Sequence, residues 1–388
     1  MKPPDHRLAR ALVLLPSTEL GGAEKHTAIL ARDLAARGAE VTIALEPALQ
    51  PGFAGLLGPG SAVRFRPGPF AWRPKAAVEA NLAAQEEAVI GLVATARPDL
   101  VILPLPWPTH GLGLMRGLLA LGRGALVIHH LAPHDPEPPL PAAARAVIAA
   151  LPAAPFHWVA VSAPVAARSA ALLGLAEAAF TVIPNGVPVP REDPGLRAAL
   201  RLRQRRRLGL APAARLVVFA GRLELSKGAD LLPEIAERLE AMAGATLAAL
   251  GEGSLRPKLE ASRAGRRLGP LRLPGHVEDV PDWLLAADAL LLPSRNEGCP
   301  FVFLEAAARR CPVIASGDAL ECYGSDASSL AAVAPTGGVS DLTGKAAMRL
   351  NDPAAARAAV DAAFRFVFDQ DEAAMLRRYA SFMRTILA

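Results

Sequence analysis

Short runs of Val, Ile, Leu and Ala recur along the chain and alternate with amphipathic stretches of about ten to eighteen residues. Such alternation predicts repeated β-α units on parallel sheets. In the first half the runs predict strands at 11–15, 41–45, 100–103, 126–129 and 158–161, each too short for a helix. In the second half they predict strands at 216–219, 246–250, 289–292 and 313–315. Between the first two strands, Ile29, Leu30 and Leu34 fall at helical spacing, and the pattern stops at Gly38, a usual C-terminal cap. The pattern gives two Rossmann-like domains, 1–185 and 186–370, with the linker in the proline-rich stretch 184–194 around Asn185-Gly186. The amphipathic segment 371–388 predicts a C-terminal helix.

A length of 388 residues suits two or three domains at roughly 150 residues each. The net charge of +5 is spread over both halves, so no concentrated basic face marks a nucleic-acid binder. The longest run without a charged residue, 146–167, is broken by Pro152, Pro155, His157 and Pro164, which argues against a membrane-spanning helix. The short basic start lacks the apolar run of a signal peptide. Cys299, Cys311 and Cys322 are odd in number and lack metal-ligand spacing, which points to a reducing cytoplasm. Arg201, Arg203, Arg205, Arg206 and Arg207 cluster after the linker. They read first as a solvated helix face, and second as a contact for anionic lipid headgroups, worth about 1 kcal/mol per residue.

Chemistry concentrates where predicted strands turn into helices. After the first strand, P-S-T-E-L-G-G-A-E places Gly21 and Gly22 at a helix start, where backbone amides can approach an anion. The spacing is not that of a dinucleotide fingerprint. In the second half, G-R-L-E-L-S-K-G at 221–228 puts Arg222 and Lys227 on one loop. With 36 arginines and 6 lysines in the chain, a lysine here is unlikely to reflect composition alone. The planar fork of Arg222 and the compact charge of Lys227 suit a phosphate, at roughly 1.5–3 kcal/mol per charge-assisted bond. The segment 293–312 holds Glu297 and Glu305 eight residues apart, which predicts Glu297 in a loop and Glu305 inside a helix. Pro300 suits the first helical turn and leaves the amides of Phe301 and Val302 for a phosphate. A carboxylate accepts two hydroxyl hydrogen bonds, as the vicinal diol of a ribose or sugar offers.

Together these segments resemble the retaining glycosyltransferases of the GT-B fold, the E-x7-E group known as family 4 or group 1. The resemblance runs over nearly the whole chain: G-G-A-E at 21–24, I-P-N-G-V at 183–187, G-R-x4-K-G, G-E-G at 251–253, A-D-A-L-L-L-P-S at 287–294, and E-x7-E. It implies an α/β GT-B fold with two Rossmann-like domains facing across a cleft, and a C-terminal helix, 371–388, that packs back on the first domain. It also implies transfer of a sugar from a nucleotide-diphosphate sugar to an acceptor hydroxyl, with retention and without a metal or cofactor. By the same resemblance, Arg222 and Lys227 hold the diphosphate, Glu305 the ribose, Glu297 the transferred sugar, and Gly21-Gly22 closes over the donor. A histidine ending a strand of the first domain lies beside the reacting sugar; of His129 and His130, His129 fits the family's position better. The acceptor would be a sugar or lipid-linked saccharide in polysaccharide, lipopolysaccharide or glycolipid synthesis, with peripheral contact at the inner face of the membrane. Phe70, Trp72, Arg73 and Lys75 suit such a lipid-linked acceptor or an ordinary loop against a core. Asp369-Gln370-Asp371, the one D-x-D, reads as a helix cap.

Two departures stand out. Arg310 occupies a position where the family usually has glycine, and 316–324 reads S-G-D-A-L-E-C-Y-G where the family tends to carry a glycine pair and an acidic residue. Two other classes remain as alternatives, a nucleotide-sugar epimerase of similar architecture and a non-catalytic nucleotide-sugar-binding scaffold.

Overall fold

A computed structural model describes residues 8–73, 75–135, 139–262 and 269–387. The basic stretch at the start, within residues 1–7, lies outside the described residues. The chain divides into two compact units, Met1–Asn185 with Met375–Ala388, and Gly186–Ala374.

The first unit is built on seven parallel strands: β1 (Arg10–Leu14), β2 (Glu40–Leu45), β3 (Arg64–Pro67), β4 (Leu100–Leu105), β5 (Ala125–His129), β6 (Phe156–Ala160) and β7 (Phe180–Val182). They lie in the order β3-β2-β1-β4-β5-β6-β7. The second unit has six: β8 (Arg215–Ala220), β9 (Ala245–Leu250), β10 (Leu271–Gly275), β11 (Ala289–Leu292), β12 (Val313–Ser316) and β13 (Ala332–Ala334). Their order is β10-β9-β8-β11-β12-β13, again all parallel. Both sheets are therefore α/β. The nine predicted strands are the interior ones, and the four that the apolar pattern missed, β3, β7, β10 and β13, are the sheet edges. The reason is physical: β3 reads Arg-Phe-Arg-Pro and is mostly exposed, while β7 and β13 have three residues each. An edge needs no continuous apolar run, and a short or charged edge resists pairing with another chain.

Helices cover the sheets with their apolar stripes. In the second unit Leu232, Ile235, Ala236 and Leu239 of helix Leu232–Ala243 are fully buried on Val217, Phe219 and Leu247, each large side chain contributing about 1.5–3 kcal/mol. The C-terminal helix Glu372–Leu387 buries Met375, Tyr379 and Met383, spaced one turn apart, within the first unit. Its start is capped by Asp371, whose Oδ1 accepts the Ala374 N–H at 2.7 Å. No helix among the described residues is long and apolar enough to cross a membrane.

The arginine cluster is only in part a solvated face, since Arg203, Arg206 and Arg207 are exposed while Arg205 is not. On helix Pro194–Arg207, Arg205 is fully buried, with Nη2 at 2.7 Å from Asp288 Oδ2 and further bonds to the carbonyls of Ala214 and Ala286. Arg201 pairs with the other oxygen of Asp288 at 2.7 Å, Arg203 with Asp282 at 2.7 Å, and Arg207 with Asp279 while lying over the Trp283 ring. The helix is thus riveted to the acidic residues around 279–288, and only spacing was visible in the sequence, not the partners.

Arg310, just past helix Phe301–Ala308, has φ +51°, the left-handed conformation that explains a glycine preference there. Its guanidinium lies 3.8 Å over the Phe364 ring and 2.6 Å from Asp361, both on helix Pro353–Asp369. The segment 316–324 runs from the end of β12 into a short 3-10 helix, Asp318–Asp326, that places the Tyr323 ring 4.9 Å from Phe303 and 5.2 Å from Phe366.

Because Arg205 is enclosed and Arg206 exposed, Arg205→Ala should lower the unfolding free energy by about 3–5 kcal/mol, and Arg206→Ala by less than about 0.5 kcal/mol. Urea unfolding of the two variants checks this, and equal losses would contradict the buried pairing.

Candidate functional site

In the second unit, strand order reverses between β8 and β11, so the loops that follow these two strands open side by side. In open α/β sheets such a reversal is where ligands bind. The β8 loop carries Arg222 and Lys227, and the β11 loop carries Glu297. Lys227 Nζ stands 2.7 Å from Glu297 Oε1, and the Ser294 hydroxyl donates to that same oxygen at 2.9 Å. Both charged side chains are about four-fifths buried or more, with 20% and 13% exposure, which strengthens their mutual attraction over that of a surface pair. Arg222 is exposed at the start of the loop.

Glycines make this approach possible. Gly228, at φ +70°, lies so close to the β11 loop that an added Cβ would sit 2.2 Å from the Pro293 carbonyl oxygen. Gly251 is similar: its Cβ would sit 2.0 Å from the Gly221 oxygen, so G-E-G at 251–253 forms the floor on which the Arg222 loop rests. Two backbone bonds fix that contact, Leu223 N–H to Glu252 O at 2.8 Å and Leu255 N–H to Leu223 O at 2.9 Å. The G-E-G segment was only weakly informative as sequence, because a close backbone approach leaves no signal beyond the glycine itself.

A second ion pair, absent from the sequence reading, ties the loops together. Arg295 grips Asp230 through both carboxylate oxygens, at 2.6 and 2.9 Å, and its backbone N–H donates to Ser226 O at 2.8 Å. Burial pushes the Asp230 carboxyl up, but the bonds from Arg295 take it below its ordinary value; the Arg295 guanidinium is held above its own by the same bonds. Glu305 lies half-buried in helix Phe301–Ala308, and Phe301 and Val302 form its first turn. Pro300 stands one place earlier than expected, as the cap residue. The N–H groups of a helix's first turn point outward along its axis, as an anion requires.

In the first unit, Gly21 caps helix Gly22–Ala36, the first helix after β1. Its amide donates to Glu24 Oε2 at 2.6 Å, so it is not free for the anion that the sequence suggests there. The Ser17 hydroxyl donates to the other oxygen of Glu24, whose carboxylate is buried against the helix N-terminus and favoured there by the dipole. Glu24 therefore closes the turn, a role visible in the spacing of a capping box though not drawn from it. Phe70 is buried, Trp72 stacks on His110 at 6.1 Å between ring centroids, and Arg73 pairs with Glu46 at 3.2 Å, so this loop packs on the unit's own core.

His129, the last residue of β5, and His130, the residue after it, have different surroundings, as successive residues of an extended chain point to opposite faces. The His129 ring is enclosed between Trp158 at 5.7 Å and Phe180 at 5.3 Å. Its fully buried imidazole has no hydrogen-bond partner on either nitrogen among the described residues, whereas His130 keeps 8% exposure. His130 instead lies against His26, one turn into the helix that Gly21 caps, with ring centroids 4.7 Å apart. Its Nε2 is also buried without a partner among the described residues. Each such orphaned nitrogen costs about 1–3 kcal/mol.

Burial holds all three imidazoles neutral: His26 and His129 fall to about 3 and His130 well below the ordinary 6.5. The unfolded chain therefore takes up protons below pH 6.5 that the native state does not. Stability should be full above about pH 6.5 and fall towards pH 3, by up to about 1.4 kcal/mol per pH unit for each histidine. Urea midpoints between pH 7.5 and 5 check this, and His129→Phe should make the decline shallower.

Residues 20–191 match the family described as Glycosyltransferase Family 4, and residues 214–352 the family described as Glycosyl transferases group 1. The putative teichuronic acid biosynthesis glycosyltransferase TuaC of Bacillus subtilis strain 168 is 33% identical over 190 residues, 49% of this chain and 42% of TuaC. A D-inositol 3-phosphate glycosyltransferase of Geodermatophilus obscurus is 38% identical over 148 residues, 35% of this chain and 32% of that protein. The chain thus spans less than half the length of these relatives. Among solved structures, Anabaena Alr3699/HepE in complex with UDP covers 97% of this chain and all of its own at TM-score 0.76 and 16% identity. WaaG, a glycosyltransferase involved in lipopolysaccharide biosynthesis, covers 96% and 99% at TM-score 0.71 and 17% identity.

Proposed function

The chain belongs to the group 1, family 4 type glycosyltransferases with the GT-B fold, and on that premise we propose that it moves a sugar from a nucleotide-diphosphate sugar to an acceptor hydroxyl with retention at the anomeric carbon. One observation carries the proposal: two loops at the β8/β11 reversal bring Lys227 and Glu297 within 2.7 Å, with Arg222 on the same loop as Lys227. A cation for a diphosphate and an acceptor for sugar hydroxyls are thereby fixed side by side on the ends of buried strands.

In this reading Arg222 and Lys227 take the diphosphate, with the Phe301 and Val302 amides on its far side, and stabilise the charge that grows as the bond from the anomeric carbon to phosphate oxygen breaks. Glu305 accepts from the ribose hydroxyls and Glu297 from those of the sugar. The acceptor oxygen forms the new bond on the same face and passes its proton to the departing phosphate oxygen, so no enzyme nucleophile takes part. His130, rather than His129, is the histidine we assign to the reacting sugar. Two basic side chains on the diphosphate loop support a reaction without a divalent ion. The similar proteins support a UDP-sugar donor and a place in cell-envelope polysaccharide synthesis, HepE having been solved with UDP-glucose and TuaC being named for teichuronic acid.

Nucleotide release from a panel of UDP-, GDP- and ADP-sugars in the presence of EDTA tests this. One donor should be turned over, and Lys227→Ala and Glu305→Ala should each lower the rate about 100-fold or more. Turnover that EDTA abolishes would overturn metal independence. Tight donor binding with no turnover, with or without candidate acceptors, would favour the scaffold.

A further inference from the structure

His26 lies between two other rings of the first unit. Its imidazole meets the His130 ring edge-on at 4.7 Å and 64°, and the Tyr379 ring edge-on at 5.2 Å and 63°. Tyr379 belongs to the C-terminal helix, and both Tyr379 and His26 are fully enclosed. Neither nitrogen of His26 has a hydrogen-bond partner among the described residues, so its ring acts through shape alone.

His130 depends on such packing. Its backbone is fixed by the bond from its N–H to Leu105 O at 3.0 Å, but its Nε2 has no partner to set the ring's rotation. The last torsion of a histidine side chain is broad, so without a hydrogen bond only neighbouring rings define it. The neighbour that does so sits on the helix whose first turn Glu24 holds closed.

We propose that His26 is a positioning residue, which relays the docking of the C-terminal helix through Tyr379 to the orientation of the His130 ring. The inference rests on the assignment of His130 to the reacting sugar. It makes the C-terminal helix a support of the reacting group and not only a cover for the sheet.

Steady-state kinetics of the full chain with its preferred donor test the relay. His26→Leu and Tyr379→Leu should each lower kcat by about tenfold to a hundredfold with donor KM nearly unchanged, as expected for a misplaced group. His26→Phe, which keeps an aromatic edge against both neighbours, should recover kcat to within about threefold of the parent. Parental kcat in His26→Leu, or His26→Phe as slow as His26→Leu, would overturn the proposal. Should His26→Leu fail to fold, parental kcat in Tyr379→Leu would overturn it equally. His130→Ala at the parental rate would instead remove the premise. The imidazole 1H–15N signals of His130 give a reading that needs no turnover: they should move in Tyr379→Leu, and unmoved signals would contradict the relay.

Discussion

Strand order reverses once in each sheet, between β1 and β4 and between β8 and β11, and the juxtaposition of Lys227 and Glu297 depends on that constraint. Parallel strands send all their carboxyl ends to one edge of the sheet. At a reversal the two following loops cannot be filled by a crossover helix, so they stand open beside each other. Because the strands beneath are buried, the loops start from fixed points, and the close backbone contact at Gly228 leaves their relation little freedom.

The two units treat polar groups in contrasting ways. The second neutralises charge by pairing: Lys227 with Glu297, Arg295 with Asp230, Arg201 and Arg205 with Asp288. The first, beside surface ion pairs such as Arg73–Glu46, buries His26, His129 and His130 uncharged, with both nitrogens of His26 and His129 and the Nε2 of His130 unpartnered among the described residues. Paired ions hold a geometry through strong directed bonds. Neutral rings hold it through contact, and they leave a donor or acceptor atom free of competing bonds within the protein.

Periodicity and composition made the interior of both sheets readable, since a strand covered on both faces must be continuously apolar. The edge strands escaped because β3 is charged and β7 and β13 are very short. Loop motifs located the Lys227 and Glu297 loops, since glycines and rare lysines stand out against an Ala-rich, Arg-rich background. Pairings over long separations did not stand out: nothing local links Arg295 to Asp230 or Arg205 to Asp288. The surroundings of His129 and His130 were hidden for a related reason. Adjacent residues at a strand end share a sequence context and have opposite surroundings, and only the position of Trp158, Phe180 and His26 separates them.

Arg310 has one further consequence. A side chain that adopts a left-handed backbone conformation, stacks on Phe364 and pairs with Asp361 ties the short helix Phe301–Ala308 to residues that touch no substrate in our reading. Positions 310, 361 and 364 have thereby become a linked set. Restoring glycine at 310 would relieve the backbone yet strand an aromatic ring and a carboxylate, so in descent these positions would change together or stay as they are. Their substitution patterns should be read jointly, and a relative's tolerance at any one of them does not transfer to this chain.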